Sequence, residues 1–118
     1  MAKYVDAFVL PVPTKNLTKY KKLAALAAKV WTDHGALEYV EAVAEDLAPG
    51  FGVPFAKMAK AKKGETVVVS WIKYKSRSHR DKVNALVSAD KRMAGMAKSL
   101  PFDVKRMAWG GFDTLVAK

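Results

Sequence analysis

An α+β domain with the element order βαββαβ is predicted by three features of this sequence. Short segments near its start, middle and end alternate in polarity at every second residue. Two longer segments repeat apolar residues every three or four positions, and one central segment is continuously apolar. The 118 residues, 51% of them hydrophobic, suit a single domain over residues 1–118 with its own core.

Tyr4 to Pro13 alternates as a strand, with Val5, Ala7 and Val9 on one face and Tyr4, Asp6, Phe8 and Leu10 on the other; Pro11 and Pro13 close it. From about Asn16, placed to cap a helix, Tyr20, Leu23, Ala24, Ala27, Val30 and Trp31 recur at helical spacing, and Gly35 stands where a C-cap belongs. Ala36 to Glu45 alternates again, setting Tyr39, Glu41 and Val43 against Val40, Ala42 and Ala44. A loop punctuated by Pro49, Gly50, Gly52 and Pro54 follows. Glu65 to Tyr74 is apolar enough to predict a central strand buried on both faces.

Ser78 to Asp81 has the spacing of a capping box with Asp in place of Glu, and Val83, Leu86 and Val87 form the apolar stripe of a second long helix. Asp90 is placed to cap a short helix carrying Met93, Met96 and Ala97, which Pro101 stops. Lys105 to Val116 reads as the last strand, its Gly110-Gly111 pair marking a bulge or a close backbone approach.

This order makes a ferredoxin-like sandwich with strands in the spatial order 4-1-3-2, an extra short helix before the last strand, and both long helices on one face. The other face, expected to carry Tyr4, Phe8, Tyr39 and Trp109, is too apolar to stay exposed. A homodimer with two sheets face to face is therefore expected.

The formal net charge of +10 favours anionic partners. Lys15, Lys19 and Lys22 lie at helical spacing and read as a solvated stripe. Lys57, Lys60, Lys62 and Lys63 form a basic loop with no aromatic to stack a base, and the 67–74 strand lacks the aromatic pattern of an RNA-recognition motif. No sequence-specific nucleic-acid partner is expected. No run approaches the roughly 18 apolar residues of a membrane span, and Asp6 and Pro11 break the N-terminal apolar run, which reads as a strand and not an export signal. The chain has no cysteine, which excludes disulfides and thiol chemistry; a cytoplasmic location is expected. Neither metal nor cofactor is expected, for want of a ligand spacing or a glycine-rich phosphate loop.

Charges within the strands give the candidate site. Asp6 and Glu41 interrupt apolar faces, and Arg106, read into the last strand, is expected beside Asp6 in the interior between the two paired sheets. The trio is either a structural Asp6–Arg106 pair or a ligand site in which Arg106 holds an anionic group and a carboxylate moves a proton. Trp31, His34, Tyr39, Trp71 and Trp109 are the candidate pocket-lining residues. His34 caps the last carbonyls of the first helix or serves as a base; His79 has capping or surface duty. Arg80 and Asp81 are adjacent and read as a local pair. The functional expectation is a binding or structural domain with a small-molecule pocket inside a dimer. The alternative is a cofactor-independent oxygenase or isomerase acting on a small organic substrate through Trp31, His34 and Tyr39, and a third reading, from the net charge of +10, is a weak nonspecific nucleic-acid binder.

Asp6, Glu41, Ser70-Trp71-Ile72, Tyr74, Ser76, Arg80-Asp81, Asn84, Asp90, Arg92-Met93, Pro101-Phe102-Asp103, Lys105-Arg106-Met107 and Gly110-Gly111-Phe112 together resemble the YbaA-like bacterial proteins, a family of unknown function. Val43 and Leu100 depart from that pattern. The resemblance implies the dimeric α+β barrel superfamily, in which two sheets close around a shared interior. That superfamily hosts enzymes, haem handlers and proteins without known activity, so it does not choose a function.

Overall fold

The computed structural model describes residues 3–48 and 50–118. Pro49 of the loop and the Met1-Ala2 start of the N-terminal segment lie outside the described residues, as does the side chain of Ala97. The protein is α+β. Its order is β1 (Tyr4–Pro13), α1 (Leu17–Asp33), β2 (Glu38–Val43), α2 (Phe55–Met58), β3 (Glu65–Tyr74), α3 (Arg77–Ser88) and β4 (Ala108–Asp113). Single 3-10 turns stand at Thr14–Asn16, Lys91–Met93, Met96–Lys98 and Val104–Arg106. The strands form one antiparallel sheet in the order β2-β3-β1-β4, compatible with a ferredoxin-like fold.

Pairing explains the prolines of β1. β4 pairs with Tyr4 to Val9 and stops, so Pro11 and Pro13 lie where that side of β1 is an edge and a missing N–H is tolerated. Gly35, with φ of +112°, takes the left-handed conformation just beyond α1 that glycine accepts without Cβ strain.

Both long helices pack on one face of the sheet. Val30, Val83 and Val87 meet Ile72 and Tyr74 at one end of the core, while Tyr20 and Ala24 meet Leu10, Val12 and Val68 at the other. Phe8 touches both clusters. The alternation of β1 and β2 is therefore as read, but the faces are reversed. Tyr4, Phe8 and Tyr39 pack under the helices, and Trp109 stacks on Phe8 on that same side. The register leaves Val5, Ala7, Val9, Val40, Val69, Trp71 and Phe112 on the opposite face. β3 is correspondingly not buried on both faces along its whole length: Val68, Ser70, Ile72 and Tyr74 are buried on the helix side, while on the other side Val67, opposite Pro11, is buried and Val69, Trp71 and Lys73 are half-buried.

Local signals also shifted. The N-cap of α3 is Ser76, whose hydroxyl accepts from the His79 amide; the Ser78 box does not form. Asn16 precedes α1 but makes no capping bond, because its Nδ2 donates to the Pro101 carbonyl. Asp90 does cap, accepting from the Arg92 amide, though over a 3-10 turn. β2 is shorter at both ends than the alternation of Ala36 to Glu45 implies. The last strand begins at Ala108, because Asp103 accepts from the Lys105 amide and winds Val104–Arg106 into a 3-10 turn.

Candidate functional site

Arg106 therefore stands before β4 and does not meet Asp6. Its two terminal nitrogens grip Glu65, Nη1 to Oε1 and Nη2 to Oε2 at 2.7 Å each, its Nε donates to Asp103 at 3.0 Å, and Nη1 also reaches the Lys60 carbonyl. This two-pronged pairing lowers the Glu65 carboxyl to about 2. Arg106 thus ties the start of β3 to the basic loop and to the 3-10 turn beneath β4.

Asp6 pairs with Arg80 instead. Arg80, early in α3, donates to Asp6 Oδ1 and to Asp81 Oδ1, and its guanidinium lies 5.1 Å from the centroid of the Tyr4 ring. Burial pushes the Asp6 carboxyl up, against the pull of Arg80 and of the Asn84 amide. The Asn84 Oδ1 accepts from Trp31 Nε1 at 3.1 Å and from the Tyr74 hydroxyl at 3.3 Å, so one polar chain pins α1, α3, β1 and β3 together. Every buried polar side-chain atom among the described residues has a partner.

Glu41 has a different environment. It projects from β2 toward α1, where Oε1 accepts from the Tyr20 hydroxyl at 2.7 Å and Oε2 from the Tyr39 hydroxyl at 2.8 Å. Burial raises its pKa, opposed by the hydroxyls of Tyr20, Tyr39 and Ser70, the last directly across the β2–β3 register. The same burial and the Glu41 charge raise the pKa of both phenols, which stay protonated donors.

Two clefts meet at this tyrosine pair. The first, about 540 Å³, runs between α1 and the β2 edge, with Ala24, Ala25 and Ala28 on one wall, Ala42 and Val43 on the other, and Glu41, Tyr20 and Tyr39 along it. It exists because α1 presents alanines there; methyl side chains keep the helix stable but leave its distance from β2 unfilled. The second, about 320 Å³, lies between α1 and the segment 93–107 and is walled by Phe8, Trp31, Phe102, Met93, Met96 and Met107, with Ser70 in its lining. Methionines give such a wall adaptable shape.

Of the residues singled out in the sequence, Glu41 and Tyr39 line the first cleft, and Tyr39 and Trp31 the second. His34 does not join them: it stands at the C-cap of α1, where its backbone amide donates to the Val30 and Trp31 carbonyls, but its ring turns away, Nε2 sharing a 2.7 Å hydrogen bond with Asp90 Oδ2, and Arg92 grips the same carboxylate while reaching Asp33. Trp71 lies on the opposite face, its Nε1 donating to Glu38, and Trp109 is 59% exposed. Asp6 and Glu41 both sit on the helix side of the sheet, outside any interior enclosed between two sheets. Tyr20 and Ser70 were missed because they read as core stripe and strand filler; the alanine run of α1 was the available signal. Among the described residues no group of three or more His, Asp or Glu is placed to hold a metal. No described helix is long and apolar enough to cross a membrane.

A four-stranded antiparallel sheet with helices on one face and an apolar cleft beside a tyrosine-held carboxylate defines a small α+β domain with a ligand-sized site. The chain belongs to the family described as "Protein of unknown function (DUF1428)", which matches residues 3–104. It is 42% identical over 114 residues to the "Uncharacterized protein YbaA" of Escherichia coli strain K12, covering 97% of each chain, and equally similar to the protein of the same name from Shigella flexneri.

Proposed function

We propose that this protein is a homodimeric small-molecule-binding domain whose ligand lies in the first cleft, between α1 and β2, one site per protomer. The observation that supports the reading is the cleft itself: apolar walls converge on three hydroxyl and carboxylate groups, from Tyr20, Tyr39 and Glu41, at the size and composition typical of small-molecule sites. The dimer of this reading packs the open faces of two sheets into an α+β barrel, which covers Val5, Val9, Val69, Trp71 and Phe112. A cytoplasmic setting fits a chain without cysteine.

The test is titration with a neutral environment-sensitive dye, N-phenylnaphthylamine. Saturable fluorescence gain on the wild-type chain, reduced at least about tenfold in affinity by filling the cleft with Ala25→Trp, supports the site. Absence of a saturable gain, or a gain that Ala25→Trp leaves unchanged, overturns it. Ala25 is exposed, so the substitution leaves the core in place.

A further inference from the structure

We infer that the cleft takes an organic cation, a protonated amine carried on an apolar body, with Glu41 as its counter-ion and the rings of Tyr20 and Tyr39 beside it. This deepens the small-molecule reading above and rests on it.

The inference starts from how the protein treats its other enclosed carboxylates. Asp6 has Arg80, Glu65 has Arg106, and Asp90 has Arg92 and His34. Glu41 shares their partly buried setting, yet no salt bridge among the described residues reaches it. Its two oxygens are held by neutral phenols. In a chain with ten positive charges in excess, a carboxylate left without a cation is not explained by a shortage of partners. An anion against apolar walls is costly without a counter-charge, and the cleft leaves space where that charge would lie.

The surroundings favour an ammonium group over a hydrated metal ion. Glu41 brings one carboxylate and no second acidic ligand, which is poor chemistry for a divalent cation. Its neighbours are aromatic: Tyr20 packs edge-on to Phe102 with centroids 5.7 Å apart, and Tyr39 lies 6.0 Å from Trp31. Ring faces attract organic cations, and the alanine walls of α1 accept the apolar body. The tyrosines also fix the carboxylate in place before a ligand arrives, which lowers the ordering cost of binding. Lys21, which is exposed, also lines the cleft.

The experiment is calorimetric titration of the full chain with three molecules of one shape: phenylbutylammonium, phenylbutanol and phenylbutyrate. The wild-type chain is expected to bind the ammonium about tenfold or more tighter than the alcohol, and the carboxylate most weakly. Glu41→Gln should bring ammonium and alcohol within about threefold of each other. Should Glu41→Gln fail to fold, Ala28→Lys keeps the carboxylate and supplies a tethered ammonium from the cleft wall; it should abolish the same selectivity. Equal affinity for ammonium and alcohol in the wild-type chain, or preference for the carboxylate, overturns the cation and leaves the cleft reading standing. Failure of all three to bind, with the naphthylamine dye also excluded, overturns both. Ammonium selectivity that survives in Glu41→Gln or Ala28→Lys overturns Glu41 as the counter-ion.

Discussion

Arg80 on α3 and Asp6 on β1 form an ion pair across the helix–sheet interface, with only 11% and 3% of their side chains exposed. Seventy-four residues separate them in sequence, so the pair fixes where α3 lands on the sheet. Arg80→Ala strands a buried carboxylate and is expected to destabilise the fold by about 3–5 kcal/mol. Replacing both, Arg80→Met with Asp6→Leu, should recover much of that loss, because an apolar pair needs no counter-charge. Urea unfolding of the three chains measures both values. A double variant no more stable than Arg80→Ala would show that the pair contributes more than mutual neutralisation.

The Glu65–Arg106 pair gives a pH dependence of definite sign. Arg106 holds the folded-state pKa of Glu65 at about 2, below the ordinary value of 4.5, so the folded state binds this proton less tightly than the unfolded chain does. The stability this supplies is complete above the unfolded pKa and is lost as pH falls from about 4.5 toward 2. Glu65→Gln is expected to lower stability at neutral pH and to flatten the acid limb of the stability curve in that window. Thermal unfolding between pH 2 and pH 6 checks it; an acid limb unchanged by the substitution would assign the loss to Asp103 or Asp90.

The strands and helices of this fold were legible because period-2 and period-3.6 patterns record burial directly. Which face of the sheet the helices cover was not. Both faces of β1 are apolar, Val5, Ala7 and Val9 on one and Tyr4, Phe8 and Leu10 on the other, so alternation divides them without ranking them. The packing ranks them: α1 turns Tyr20 and Ala24 toward the sheet, where the longer side chains Phe8 and Leu10 meet them. Arg80 does make the local pair with Asp81 that the sequence predicts. Its neighbour Asp81 satisfies a local reading, and nothing in the spacing shows that the guanidinium also reaches β1. Arg106 was misplaced because an Asp103 cap turns a strand-like run into a 3-10 turn.

Gly111 is fixed by its neighbour. A Cβ built there would lie 2.1 Å from the Tyr4 hydroxyl oxygen and 2.8 Å from Cζ of the same ring. Tyr4 cannot swing aside freely, because its ring supports the Arg80 guanidinium. Gly111→Ala is expected to destabilise by about 1–3 kcal/mol, the range for overpacking. Tyr4→Phe removes the nearest atom and should relieve part of this, so the double variant is expected to be more stable than the sum of the two single losses implies. A chemical-denaturation cycle measures the coupling.

The open sheet face carries the last expectation. Val9 and Val69 are cross-strand partners at its centre, with Trp71 and Val5 further along and Phe112, 58% exposed, on the β4 edge. An apolar surface of this extent on a chain with +10 charge is the place where like-charged protomers can still associate, since burial of Val and Trp must outweigh their repulsion. Light scattering at micromolar concentration should give twice the chain mass, and more firmly as salt screens the repulsion. Val9→Lys places a charge in the middle of the face without touching the helix side, and should yield a folded monomer that retains dye binding in the first cleft. A wild-type monomer would exclude the barrel, and a Val9→Lys dimer would move the interface elsewhere. Loss of dye binding in a folded Val9→Lys monomer would show that each cleft needs the partner subunit to keep its shape.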